Sequence, residues 1–188
     1  MLLKYGNYIT HILWIPKNRE GQIIYGQNDS IKDCILNYGH LNEWISFVDF
    51  DEFIFSEKDI NLIEYLNSLP ENISNVKLIQ KKFLDRFLTK ESFITQEFKC
   101  INNLEIGTDW APKNIVRCRD FLSSKDIHAI YTKKETIVPP TNILRFNHYN
   151  LNDKQLEWMK MYYNKNEFKI DGVDDGMSRY KDLFIIDK

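Results

Sequence analysis

Apolar positions along the chain switch between strand-like and helix-like spacing, and the switches predict its elements. Ile9–Ile15 (ITHILWI) is a short apolar run closed by Pro16, which predicts a buried strand. Lys17–Gly26 is polar and contains Gly21 and Gly26, as a connection would. Next, Ile31, Cys34, Ile35 and Tyr38 recur on one helical face, with Asp29 placed to cap the helix and Gly39 to stop it. Glu43–Val48 (EWISFV) predicts a central strand. A helix should follow from Glu57 or Lys58 to Leu69, with Ile60, Ile63, Leu66 and also Leu62 inward and Pro70 ending it. Val76–Phe83 predicts one continuous strand. Further strands are expected at Lys113–Cys118, Ile127–Tyr131 and Ile143–His148, and a helix at Asp153–Tyr163. The tail holds a turn-rich DGVDDG (Asp171–Gly176) and a short apolar end, Leu183–Ile186. Strands alternating with helices predict an α/β fold. No repeat, low-complexity tract or internal boundary divides the chain, so residues 1–188 read as a single domain.

Composition narrows the function classes. With 25 basic and 27 acidic side chains the net charge is −2, so no global cationic field exists to hold nucleic acid or an anionic membrane surface. An apolar fraction of 43%, with 14% aromatic, excludes a disordered, solvating chain. No segment approaches the roughly 20 consecutive apolar residues of a membrane span, and no cleavage-site pattern follows the N-terminal run. Cys34, Cys100 and Cys118 form no CxxC pair, which argues against a disulfide scaffold and against structural zinc. The expectation is a reduced, cytoplasmic protein.

Candidate chemistry concentrates in Trp44–Phe55 (WISFVDFDEFIF). Asp49, Asp51 and Glu52 interrupt an apolar run, and in an extended chain Asp49 and Asp51 would project from the same face. Burying such a pair without a counter-ion is costly. A divalent cation removes that cost, and hard oxygen ligands suit Mg²⁺ or Mn²⁺. A bare DxD is unspecific, but this one follows a hydrophobic strand and is flanked by Phe50, Phe53 and Phe55, which a solvated loop does not need.

These residues carry a resemblance. Trp44–Ile54 is similar to the W-x-x-F-x-D-x-D-E-F signature of DxD glycosyltransferases, above all glycosyltransferase family 92 and the family 2-like group. Gln27 and the helix with Cys34 and Tyr38 resemble the segment that precedes that motif. Lys113-Asn114-Ile115-Val116-Arg117 resembles the family's K-S-I-V-R. Leu144–Tyr149, followed by Glu157, Trp158 and Lys160, resembles its closing HY segment and helix. The similarity spans about Gln27–Lys160.

The resemblance implies a GT-A-like mixed sheet flanked by helices, and a metal-dependent transfer of sugar from a nucleotide-sugar, UDP-sugar favoured, to a glycan or glycolipid, with inversion. It implies Mn²⁺ or Mg²⁺ as cofactor, with Asp51 as direct ligand and Asp49 at the ribose or at the metal through water. His148 would complete the coordination, and Glu52 would support the loop. Lys113 and Arg117 are candidates to reach a phosphate. Trp44 and Trp158 read as core, and Trp110 as a candidate for stacking on an acceptor sugar, whereas His11, His40 and His128 read as packing or surface residues. No V-x-x-x-R-N-E segment precedes Gln27, which implies an N-terminally truncated GT-A domain. Its parts would be a residual strand and loop over 1–26, a core over 27–163 and a tail over 164–188. Lys81–Arg86 departs from the family's F-G-S stretch, which leaves the general base open among Asp85, Glu91, Glu97 and Asp109, with Asp85 the named candidate. An incomplete sheet edge would suit a second copy, as a homodimer. The alternative function is a catalytically inactive remnant that binds a glycan or a partner. A metal phosphoesterase is a third reading, short of ligands for two metals.

Overall fold

A computed structural model describes residues 12–13, 15–24, 26–84, 94–103, 111–149 and 172–184. The strand expected at Ile9–Ile15 lies mostly outside these residues, and the helix expected at Asp153–Tyr163 wholly outside them. The helices are α1 (Gln27–Tyr38), α2 (Leu62–Ser68) and the single turn α3 (Ile94–Glu97). In chain order the strands are β1 (Trp44–Ser46), β2 (Glu52–Phe55), β3 (Ile73–Leu78), β4 (Gln80–Phe83), β5 (Cys100–Asn103), β6 (Lys113–Arg117), β7 (Phe121–Ser124), β8 (Ile130–Thr132), β9 (Glu135–Ile137), β10 (Arg145–Tyr149) and β11 (Gly172–Val173). They form a mixed α/β arrangement of two principal sheets, in the orders β1-β6-β3-β9 and β11-β5-β4-β10-β2, with β7 and β8 as a separate pair. Parallel pairs (β3 with β9, β4 with β10) sit among antiparallel ones. No helix among the described residues is long and apolar enough to cross a membrane.

Several expected elements are corrected. The strand at Glu43–Val48 shortens to β1, which among the described residues lies at a sheet edge, not its centre. The single strand at Val76–Phe83 is two, because the chain leaves one sheet at Ile79 and enters the other. Hydrophobicity alone could not show that break, since β3 and β4 are both buried through most of their length. Helix α2 starts later than expected, where Asn61 Oδ1 accepts from the Ile63 and Glu64 amides as an N-cap. Ile63 is therefore exposed, against expectation, while Leu62 and Leu66 face the core as expected, joined by Tyr65. Helix α1 has Gly26 rather than Asp29 at its N-terminal cap, and it ends as expected at Gly39, whose amide bonds the Ile35 carbonyl and which opens a 3₁₀ turn over Gly39–Leu41.

Two apolar clusters fill the molecule. Strand β10 serves both, because alternate side chains of a strand face opposite ways. Phe146 joins Leu66, Val76, Leu78, Ile115 and Leu144 on one side. Tyr149 joins Phe55, Phe83, Phe98, Ile101 and Met177 on the other, stacked on Phe83 at 4.4 Å between centroids. On that second side Arg145, fully buried, bonds Asp174 Oδ2 from Nη2 (2.7 Å) and Asn147 Oδ1 from Nε (2.9 Å), and also pairs with Glu57. Lys81 Nζ reaches the same Asp174 oxygen at 2.8 Å. Gly176 completes this clasp: a Cβ there would meet Phe55 Cζ at 2.7 Å, so only glycine lets the tail approach so closely.

The clasp predicts an acid response. Burial raises the Asp174 carboxyl, but Lys81, the Gly176 amide and Arg145 hold it below the usual carboxylate range. A carboxyl depressed on folding adds stability that is present above the unfolded value of about 3.9 and is lost as pH falls through the folded one. Asp174→Asn should therefore cost about 1.5 kcal/mol at pH 7 and flatten the loss of stability below pH ~4. Urea unfolding of both proteins from pH 7 to pH 3 checks this, and parallel profiles would refute it.

Candidate active site

The acidic cluster lies where the chain crosses from one sheet to the other. Residues Asp49–Glu52 form a turn rather than an extended strand, with the Glu52 amide donating to the Asp49 carbonyl at 3.1 Å. Alternation therefore does not apply, and the expectation that Asp49 and Asp51 share a face is corrected. Asp49 turns to β6: Lys113 Nζ donates to its Oδ2 at 2.8 Å. Asp51 turns to β10, with its Oδ2 3.6 Å from His148 Nε2. The two carboxylates diverge from one turn.

That turn is tightly held. Glu52, the first residue of β2, has a side chain only 2% exposed. Its Oε2 accepts from the Asp49 amide (2.8 Å) and lies 2.9 Å from Lys113 Nζ. Lys113 is itself fully buried, so it closes an internal triangle with Asp49 and Glu52. On the other side the Tyr149 amide donates to the Asp51 carbonyl at 2.8 Å. His148 stands opposite Glu52 in the β2–β10 register and beside Lys82 in the β4–β10 register.

His148 is oriented by Gln80, whose Oε1 lies 3.1 Å from Nδ1. In the tautomer that donates from Nδ1, the Nε2 lone pair points at the Asp51 carboxylate. Two acceptors then face each other, which calls for a proton or a cation between them. A histidine with Nδ1 fixed and Nε2 presented to a carboxylate is also how a metal-binding imidazole is held. Burial raises the Asp51 carboxyl, while the hydrogen bond and charge of His148, with the charge of Lys113, bring it below its ordinary value. Three carboxylates and one ammonium leave two negative charges on the cluster before His148 is counted.

An open cavity of about 240 Å³ adjoins the Asp49 side, between the first turn of α1 and the end of β1, lined in part by Gln27, Ser30, Phe47, Val48 and Asp49. It is smaller than the ~300–1,000 Å³ of a complete small-molecule site, and of a size for one moiety of a larger ligand.

The sequence profile of glycosyltransferase family 92 matches residues 2–180 of the 188. The chain belongs to glycosyltransferase family 92. No curated protein matches it. As a family 92 glycosyltransferase it acts between a sugar donor and an acceptor, and its mixed α/β sheets are compatible with that class.

Within this glycosyltransferase, Asp49, Asp51, Lys113 and His148 come together. Arg117 does not. It ends β6, about 13 Å of strand from Lys113, where it lies over the Trp44 ring, donates to the Ile73 carbonyl at 3.2 Å and pairs with Glu43. Lys113 and Arg117 were candidates to reach a phosphate, but β6 is a central, buried strand and both cations are bound to carboxylates. Asp85, Glu91, Asp109, Trp110 and Trp158 lie outside the described residues, as does the side chain of Glu97. Among the described residues no three His, Cys, Asp or Glu side chains form a group that could hold a metal by themselves. Sequence reading missed Gln80, which reaches His148 only because β4 lies parallel to β10. Nothing local in QKKF signals that pairing.

Proposed function

We propose that this chain transfers a sugar from a nucleotide-sugar to a hydroxyl of a glycan, with inversion, using a divalent cation bound at Asp51 and His148. The observation that carries the reading is the pair itself: a carboxylate oxygen and an imidazole nitrogen 3.6 Å apart, with the imidazole steered by Gln80. Oxygen and imidazole donors suit Mn²⁺, and Mg²⁺ less closely. Two protein ligands are few for a self-contained site. They are the usual complement where substrate phosphates and waters supply the rest, so the donor set fits a cation that arrives with a nucleotide diphosphate. When bound, such a cation supplies positive charge against the departing diphosphate.

The chain's own residues do the remaining work. Asp51 and His148 fix the diphosphate end, and Asp49 faces the cavity under α1, where a ribose hydroxyl could bond its carboxylate. A carboxylate outside the described residues, Asp85 by sequence, would take the acceptor proton.

Thermal melting with Mn²⁺, with UDP or GDP, and with both together tests the reading. A ligand at one hundred times its Kd adds about 2.7 kcal/mol. The expected result is a shift that needs metal and nucleotide at once. A folded protein whose melt none of these moves would exclude the donor site.

A further inference from the structure

The most exposed large apolar side chain among the described residues is Phe50, at 106%. It sits between Asp49 and Asp51. The expectation of three packed phenylalanines around the motif fails at this one: Phe55 is buried, and Phe53 packs edge-on against Tyr149 at 5.7 Å. Exposure alone decides little, since Leu13, Leu36 and Val173 are also open and scattered surface apolar residues are normal. The mounting of Phe50 is different. Its turn is closed by the Glu52–Asp49 backbone bond, tied through Glu52 and Lys113, and anchored to β10 by the Tyr149 amide. The ring is therefore presented by a fixed turn, at the point where the side chains before and after it face the site.

Direction separates the ring from the donor. Asp49, though half-exposed, is bound to Lys113 and Asp51 lies against His148, whereas the Phe50 ring is fully open to solvent. A ligand that covers it approaches from the outer side, over whatever the carboxylates hold. Sugar rings carry a face of axial C–H bonds that stacks on an aromatic ring, burying apolar area against its negative π face. We infer that Phe50 is the stacking platform for the acceptor sugar, setting that ring over the donor site. The inference rests on the reading of the site given above, and it makes Phe50, instead of Trp110, the aromatic contact to the acceptor.

An array of immobilised di- to hexasaccharides, probed with the protein in Mn²⁺ and UDP, tests it. Wild type should bind a subset of the glycans. Phe50→Ala should weaken those signals at least about tenfold, and Phe50→Tyr should restore them. The melt with Mn²⁺ and UDP should be the same for all three proteins, which also shows that the variants fold. Identical arrays for wild type and Phe50→Ala, blank ones included, overturn the inference. So does a Phe50→Ala protein that keeps its glycan signals but loses the nucleotide-dependent melt, because the ring would then cover the donor. A wild-type melt without any nucleotide response counts against the donor site itself and is read separately from the array.

Discussion

Asp51→Asn is expected to abolish the joint stabilisation by Mn²⁺ and nucleotide while leaving the fold in place. The substitution keeps the shape of the side chain and removes its charge. In the ligand-free protein the Asp51 side chain is 20% exposed, its contact to His148 is a long one at 3.6 Å, and Asn keeps an oxygen for the backbone hydrogen bond, so stability should fall by less than about 1 kcal/mol. The turn does not depend on it, because the Tyr149 amide bonds the Asp51 backbone. Cation binding does depend on it, since an amide offers one neutral oxygen where a carboxylate offers charge. A hundredfold loss of affinity reduces a ligand shift of about 2.7 kcal/mol to about 0.4 kcal/mol. Melting curves of both proteins, with and without Mn²⁺ and UDP, read this directly. A variant that kept the full metal-dependent shift would sink the role given to Asp51. Asp49→Asn is the informative comparison, because Asp49 is bound to Lys113 and should lose more in stability than in metal dependence.

The site was legible in the sequence as a set of residues and not as a geometry. Asp49, Asp51, Lys113 and His148 could be picked out through motif resemblance, and the structure gathers them. Their arrangement came out differently because a strand's two-residue period was extended into a turn. A run such as FVDFDEF has the same pattern whether it continues straight or folds back, and the deciding groups are remote: Lys113 lies 61 residues beyond Glu52, and the pairing of β10 with β2 is set by residues further still. The same remoteness hid the switch of sheets at Ile79, where two buried strands adjoin without a glycine or proline between them.

Burial of the cations was the least legible feature. Lys113 and Arg117 stood out as cations that could reach a phosphate and not as buried ones, because lysine and arginine are rarely buried unless paired. The partners of both are distant in sequence, and KNIVR, with only Ile115 and Val116 apolar, gives no sign that both faces of β6 are covered. Caps were more local, and Asn61 ahead of Leu62 could have been recognised from its side chain as the start of α2.

Lys113→Met is expected to be the most destabilising single change at the site, by about 3–5 kcal/mol, the cost of leaving one member of a buried ion pair alone. Glu52, with 2% of its side chain exposed, would keep only the Asp49 amide as a donor among the described contacts. Against a total stability of about 5–15 kcal/mol this is a large fraction. Lys113→Met with Glu52→Met should recover much of the loss, because an apolar pair of similar volume removes both charges from the interior. The coupling between the two positions, from urea unfolding of wild type, both single variants and the double variant, measures the pair. A single variant that lost less than about 1 kcal/mol, or a double variant no more stable than Lys113→Met, would refute this account. The same measurement separates two roles for the lysine. A phosphate-binding lysine, once removed, leaves the ligand-free protein stable and weakens nucleotide binding. An internal counter-ion, once removed, loosens the turn before any ligand arrives, and the contacts of Lys113 with Asp49 and Glu52 favour that second result.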